Sequence, residues 1–121
     1  MPTILIVDDS ATVRHEVRTF LQQHGLSVME AEDGRQGLQQ LRQNTDIKLV
    51  ICDVNMPVMD GLTMTEKVRQ DLCLATPIIM LTTENCPNMK ARGKAAGVKG
   101  WIVKPFNGPG AISAILKLAA H

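Results

Sequence analysis

Apolar residues in this chain fall into five short runs, each followed by a longer amphipathic stretch. That alternation constrains the fold more than any other feature. The runs are ILIV (4–7), SVMEA (27–31), KLVIC (48–52), PIIML (77–81) and WIV (101–103). Three of them are continuous and rich in β-branched residues, as in parallel strands covered on both faces. The segment 28–30 alternates and WIV is very short, which marks these two as sheet edges. Between the runs, Val13, Val17, Phe20 and Leu21 follow a helical period, with Ser10 as N-cap and Gly25 as terminator. Leu38 and Leu41 mark a second helix after Gly34. Leu62, Thr65, Val68 and Leu72 mark a third, opened by the Asp60-Gly61 turn. The fourth, around 87–96, has little apolar face beyond Met89 and holds Gly93, so it is expected to be loosely held. Ile112, Ile115, Leu116 and Ala119 mark a fifth. Five strand–helix alternations predict an α/β fold, a doubly wound (βα)5 parallel sheet of flavodoxin-like order 2-1-3-4-5.

A chain of 121 residues is one domain's worth, and 1–121 is read as a single unit. Hydrophobic residues at 45% and charged residues at 21% exclude a disordered or disulfide-dense chain. No apolar run approaches the ~18 residues of a membrane span, and MPTILIVDDS lacks the basic start of a signal peptide. A cytoplasmic location, with no membrane partner, is expected. The three cysteines are odd in number and without CxxC spacing, which indicates neither a disulfide framework nor zinc, and Cys52 is expected to be buried. A net charge of +1 argues against nucleic acid as a partner. Residues 1–84 nevertheless carry 7 basic and 12 acidic side chains, net −5, whereas 85–121 carry 6 basic and no acidic ones, net +6.

In sheets of this type ligands bind at the carboxyl ends of the strands. Strand 1 ends in Asp8-Asp9, strand 3 in Asp53, strand 4 in Thr82-Thr83-Glu84 and strand 5 in Lys104-Pro105. Strands 1 and 3 are neighbours in the predicted order, so two or three carboxylates converge. Their repulsion is relieved by protonation or by a cation. The donors are all oxygens, few in number, which favours Mg²⁺ over zinc or a calcium cage. Carboxylates, Mg²⁺, the Lys104 ammonium and a threonine hydroxyl around one point make a site for a phosphoryl group. No Ser/His/Asp or Cys/His set and no Walker or GxGxxG loop is present, which leaves a carboxylate as nucleophile, with Asp53 the central candidate.

The segments ILIVDDS, DVNMPVMDG, PIIMLTTE and WIVKPF resemble the receiver domain of two-component response regulators, in particular the single-domain CheY type, across essentially the whole chain. The resemblance implies that Asp53 takes a phosphoryl group from a phosphohistidine on a sensor histidine kinase. It implies that Asp9 and Asp53 bind Mg²⁺ through side-chain oxygens, Asn55 through its backbone carbonyl and Asp8 through water. It further implies that Thr82 and Lys104 contact the phosphoryl oxygens, and that the Lys104–Pro105 peptide is cis. In the family the threonine moves toward the phosphate and an aromatic residue on strand 5 turns inward behind it; Trp101 stands at that position.

The moving face would be helix 4, strand 5 and helix 5, where the acid-free segment lies. Lys90, Arg92, Lys94, Trp101 and Lys117 are expected to meet an acidic or amphipathic downstream target. Asn107-Gly108-Pro109-Gly110 loosens the start of the fifth helix. No output domain is expected, so the expected protein is a monomeric phosphorylation-dependent switch, not a turnover enzyme, with chemotaxis or motility as its setting. Asn55, an amide, cannot serve as the general base of an aspartyl phosphatase, so self-dephosphorylation is expected to be slow to moderate. The alternative is a protein-binding module of the same fold that works without phosphorylation.

Overall fold

The computed structural model describes residues 3–83, 87–104, 106 and 108–119. Glu84, Cys86 and the Lys104–Pro105 peptide lie outside the described residues. The elements are β1 Thr3–Val7, α1 Ala11–Gln23, β2 Ser27–Ala31, α2 Gly34–Gln43, β3 Ile47–Asp53, α3 Gly61–Gln70, β4 Ile78–Thr82, α4 Pro87–Ala95, β5 Gly100–Val103 and α5 Gly108–Ala119. All strand pairs are parallel and the order is β2-β1-β3-β4-β5. The alternating run and the shortest run are the edges, as their patterns predict.

Alternation along the strands divides the core in two. Leu5, Val7, Val50, Cys52, Ile78 and Met80 face one side, with Leu41, Leu62, Met64 and Val68 from α2 and α3. Ile4, Ile6, Leu49, Ile51, Ile79 and Leu81 face the other, with Val17, Leu21, Ile115 and Ala119 from α1 and α5. Buried on both faces, the central strands carry continuous apolar runs because either face would otherwise meet water.

The caps follow local chemistry. Ser10 Oγ accepts from the Val13 N–H, Asp33 Oδ1 from Gln36 and Asp60 Oδ1 from Thr63, each opening a helix. Gly25, at φ +77°, turns the chain after α1.

Two details differ from the periodic reading. The third helix stops at Gln70, so Leu72 lies beyond it, where its N–H donates to the Lys67 carbonyl and Cys73 takes φ +54°. Leu116 is 41% exposed. The α5 face that meets the sheet is centred on Ile112, Ile115 and Ala119, and Leu116 falls at its margin because each residue turns the helix by about 100°.

The fourth helix is held mainly by polar contacts. Arg92 donates to both carboxylate oxygens of Glu66, at 3.0 and 2.8 Å, and to Thr63 Oγ1 at 3.1 Å. Arg69 of α3 reaches the carbonyls of Leu74, Thr76 and Ala96 at 2.8 to 2.9 Å, which ties α3 to the chain entering β4 and to the end of α4.

Candidate functional site

Strand register builds the site. Val7 pairs with Cys52, so the next residues, Asp8 and Asp53, stand side by side; Asp53 pairs with Leu81, just before Thr82. Hydrogen bonds carry the alignment past the strand ends, from Asp8 N–H to the Ala31 carbonyl (3.1 Å), Val54 to Leu81 (3.1 Å) and Lys104 to Thr82 (2.8 Å). Asp8, Asp9 and Asp53 each offer a carboxylate oxygen, and the three atoms lie within 4.8 Å of one another. Asp8 and Asp53 are buried and Asp9 is exposed, which leaves the cluster open to solvent on one side.

Close carboxylates disfavour each other's ionisation. Burial, reinforced by the Asp8 charge, raises Asp53 from its ordinary 3.8 to about 6, although Lys104 pulls the other way. The Lys104 ammonium sits between the two buried acids, 3.1 Å from Asp8 Oδ2 and 3.4 Å from Asp53 Oδ2. Burial pulls its pKa down, but hydrogen bonding and charge from Asp8 and Asp53 outweigh that and leave it above its ordinary value. The buried Cys52 thiol is pushed up, first by burial and then by the Asp53 charge, so it stays an inert neighbour.

A divalent cation fits this donor set. All three groups are hard oxygen donors with one open side. Asp8 Oδ1 accepts the Ser10 N–H at 2.9 Å, and Asp8 Oδ2 is wholly buried with the Lys104 ammonium, 3.1 Å away, as its neighbour. A buried carboxylate oxygen so placed has unused capacity for a cation.

The backbone around Asp53 is tightly fitted. Gly61, the first residue of α3, donates to the Val54 carbonyl at 2.9 Å, and a Cβ there would collide with the Asp53 carbonyl oxygen. Val58 takes φ +68°, with the Met59 N–H donating to the Pro57 carbonyl across it at 2.7 Å, and is 76% exposed. A β-branched residue in the left-handed region is strained. Sequence reading missed this turn, because Pro-Val-Met carries no turn residue at the left-handed position.

The structure thus brings together Asp8, Asp9, Asp53 and Lys104, and sets buried Thr82 at the neighbouring strand end. Asn55 is exposed two residues beyond Asp53. The other residues singled out from the sequence stand apart from this cluster. Trp101 pairs with Met80 on edge strand β5 and packs half-buried on the α3–α4 side of the sheet. Thr82, two residues past Met80, lies on that same face. A Cβ on Gly93 of α4 would come within 2.6 Å of Trp101 Cζ2, so this glycine is the seat of the indole. Lys90, Lys94 and Lys117 are exposed and form no ion pair among the described residues, whereas Arg92 is turned to Glu66. A groove of about 370 Å³, lined by Lys99, Trp101, Val103, Ala111, Ala114 and Leu118 among others, runs between β5 and α5. Sequence reading also missed Arg14, whose partners Asp8 and Glu30 are brought to it by the fold.

Comparison with known proteins finds close relatives of this chain and fold. The chain is 43% identical over 105 residues to "Chemotaxis protein CheY1" of Helicobacter pylori, covering 85% of each. It is 42% identical over 105 residues to "Chemotaxis protein CheY homolog" of Campylobacter jejuni, covering 85% of this chain and 81% of that protein. The structure of the Vibrio cholerae chemotaxis protein CheY4 superposes with a TM-score of 0.89 at 42% identity, over 98% of both chains. The family model for the response regulator receiver domain matches residues 4–116, and the chain belongs to that family as a CheY-like receiver domain of two-component signalling.

Proposed function

We propose that this receiver, read as one unit over 1–121, is switched by phosphorylation of Asp53 with a phosphoryl group from the phosphohistidine of a sensor kinase. The observation that carries the reading is the convergence of Asp8, Asp9, Asp53 and Lys104 at three strand ends. With a pKa of about 6, the Asp53 carboxylate is mostly ionised at neutral pH and available as nucleophile. One of its oxygens forms the new O–P bond as the N–P bond to the histidine breaks, and the imidazole leaves. Lys104 neutralises charge on the phosphoryl oxygens, and the Thr82 hydroxyl donates to one of them. Asp9 and Asp53 through their side chains, Asn55 through its carbonyl and Asp8 through water would hold Mg²⁺, which would supply positive charge between carboxylate and phosphoryl group. The chain stabilises and orients this transfer to itself and does not turn over a substrate, and Asn55 leaves self-dephosphorylation slow to moderate.

The output follows from placement. Thr82 and Trp101 share a sheet face, and Trp101 rests on α4, a helix with few apolar anchors. A new partner for Thr82 is transmitted through Trp101 to the face of α4, β5 and α5. There the exposed Lys90 and Lys94 of α4 and Lys117 of α5, together with Trp101, receive an acidic or amphipathic segment of a downstream protein. Arg92 contributes to that face after release from Glu66. The setting is chemotaxis or motility, as the names of the similar proteins support, with the protein acting as a cytoplasmic monomer. No helix among the described residues is long and apolar enough to cross a membrane.

The test is intact mass after incubation with Mg²⁺ and a small-molecule phosphodonor. A gain of one phosphoryl group in the wild type, absent from Asp53→Asn, supports the reading; an unaltered wild-type mass refutes it. Beryllofluoride with Mg²⁺ should change Trp101 emission in the wild type alone.

A further inference from the structure

Arg14 sits on α1 with its side chain 12% exposed, and it grips two unlike acceptors. Its Nη1 donates to the main-chain carbonyl of Asp8, and its Nε donates to Glu30 Oε1 at 3.2 Å. Glu30, on edge strand β2, is steadied on its other oxygen by Arg18 Nη1 at 2.6 Å. Asp8 is therefore held by its N–H on Ala31, by its Oδ1 under the Ser10 N–H and by its carbonyl under Arg14. That carbonyl belongs to the peptide joining Asp8 to Asp9, two members of the carboxylate cluster.

We infer that Arg14 is a positioning residue for the cation site. By holding the Asp8 carbonyl against the Glu30 anchor, it sets the plane of the 8–9 peptide and hence the direction in which both carboxylates leave the chain. A salt bridge that merely joined α1 to β2 would need only Glu30. The planar guanidinium offers separate donors to the carboxylate and to the carbonyl, a geometry a single ammonium does not reproduce. The inference rests on the reading that Asp8, Asp9 and Asp53 hold Mg²⁺.

Charge and positioning predict opposite signs, which makes the idea testable. Arg14 is a cation near a cation site, so by Coulomb's law alone its removal tightens Mg²⁺ binding. If it positions the ligands, its removal weakens binding, by roughly tenfold for residues that orient metal ligands. The experiment is calorimetric titration of MgCl₂ into the wild type, Arg14→Met and Arg14→Lys at pH 7.5, with urea unfolding of each protein alongside. Arg14→Met should bind Mg²⁺ about tenfold more weakly. Arg14→Lys, which keeps the charge, should bind severalfold more weakly, and it carries the test alone if the Met variant does not fold. A purely structural role would lower the urea midpoint and leave the Mg²⁺ affinity unmoved. Wild-type or tighter affinity in either folded variant overturns the inference and leaves the proposed function standing. A wild type that binds no Mg²⁺ overturns both.

Discussion

Replacing Asp53 by Asn should make the metal-free protein more stable at neutral pH. Burial and the neighbouring Asp8 raise the Asp53 carboxyl from 3.8 to about 6 in the folded chain. Well below pH 3.8 the group is protonated in both states and contributes nothing. Between the two values the unfolded chain has released its proton while the folded chain still holds one, so stability falls as pH rises. Above the folded value the full penalty is present. Moving the carboxyl from 3.8 to about 6 corresponds to about 3 kcal/mol. That value already includes the pull of Lys104, and the open side of the cluster lets solvent screen the repulsion, so the net gain for Asn is about 1 to 3 kcal/mol at pH 7.5, shrinking below about 1 kcal/mol near pH 4. With a urea slope of roughly 1 to 3 kcal/mol/M, the midpoint in chelator moves up by about 1 M. Saturating Mg²⁺ should narrow the gap, because the wild type gains from binding what the variant gains from lost repulsion. Destabilisation by Asp53→Asn in chelator at pH 7.5, or an equal increment at pH 4, would refute the electrostatic reasoning.

Other substitutions probe the supports of the site. Arg69→Met strips donors from the carbonyls of Leu74, Thr76 and Ala96 and should lose about 2 to 3 kcal/mol in urea unfolding, with α4 loosened in hydrogen exchange. Gly93→Ala places a methyl against the Trp101 ring, so it should destabilise by about 1 to 3 kcal/mol and shift Trp101 emission to the red as the indole is displaced. Ser10→Ala removes the α1 cap and should lower stability by about 1 kcal/mol in thermal or urea unfolding. It leaves the Ser10 N–H on Asp8 in place, so Mg²⁺ affinity should change little.

Much of the architecture is legible in the order of the residues. The runs at 4–7, 48–52 and 77–81 announce buried parallel strands because a strand covered on two faces has no polar side to show. Ser10 and Asp60 announce helix starts because their oxygens meet an orphan N–H within three residues. The acids follow two neighbouring strands directly, so strand order predicts their meeting, whereas Lys104 follows β5, two strands from β3, and strand order does not predict its reach to them. Leu116 misled because a helical period gives a stripe without saying where its margin falls against the sheet.

Residue type and local spacing determined the strands and the caps, since each depends on groups a few positions apart, and the five-fold strand–helix alternation pointed to the sheet order and so to the meeting of Asp8 and Asp9 with Asp53. Tertiary packing alone decided that Lys104 bridges Asp8 and Asp53, that Arg92 is taken by Glu66, that Gly93 seats Trp101 and that Arg14 grips Asp8. Each of these contacts joins different elements. The pairing depends on where the backbones come to rest and on which donor reaches an acceptor first.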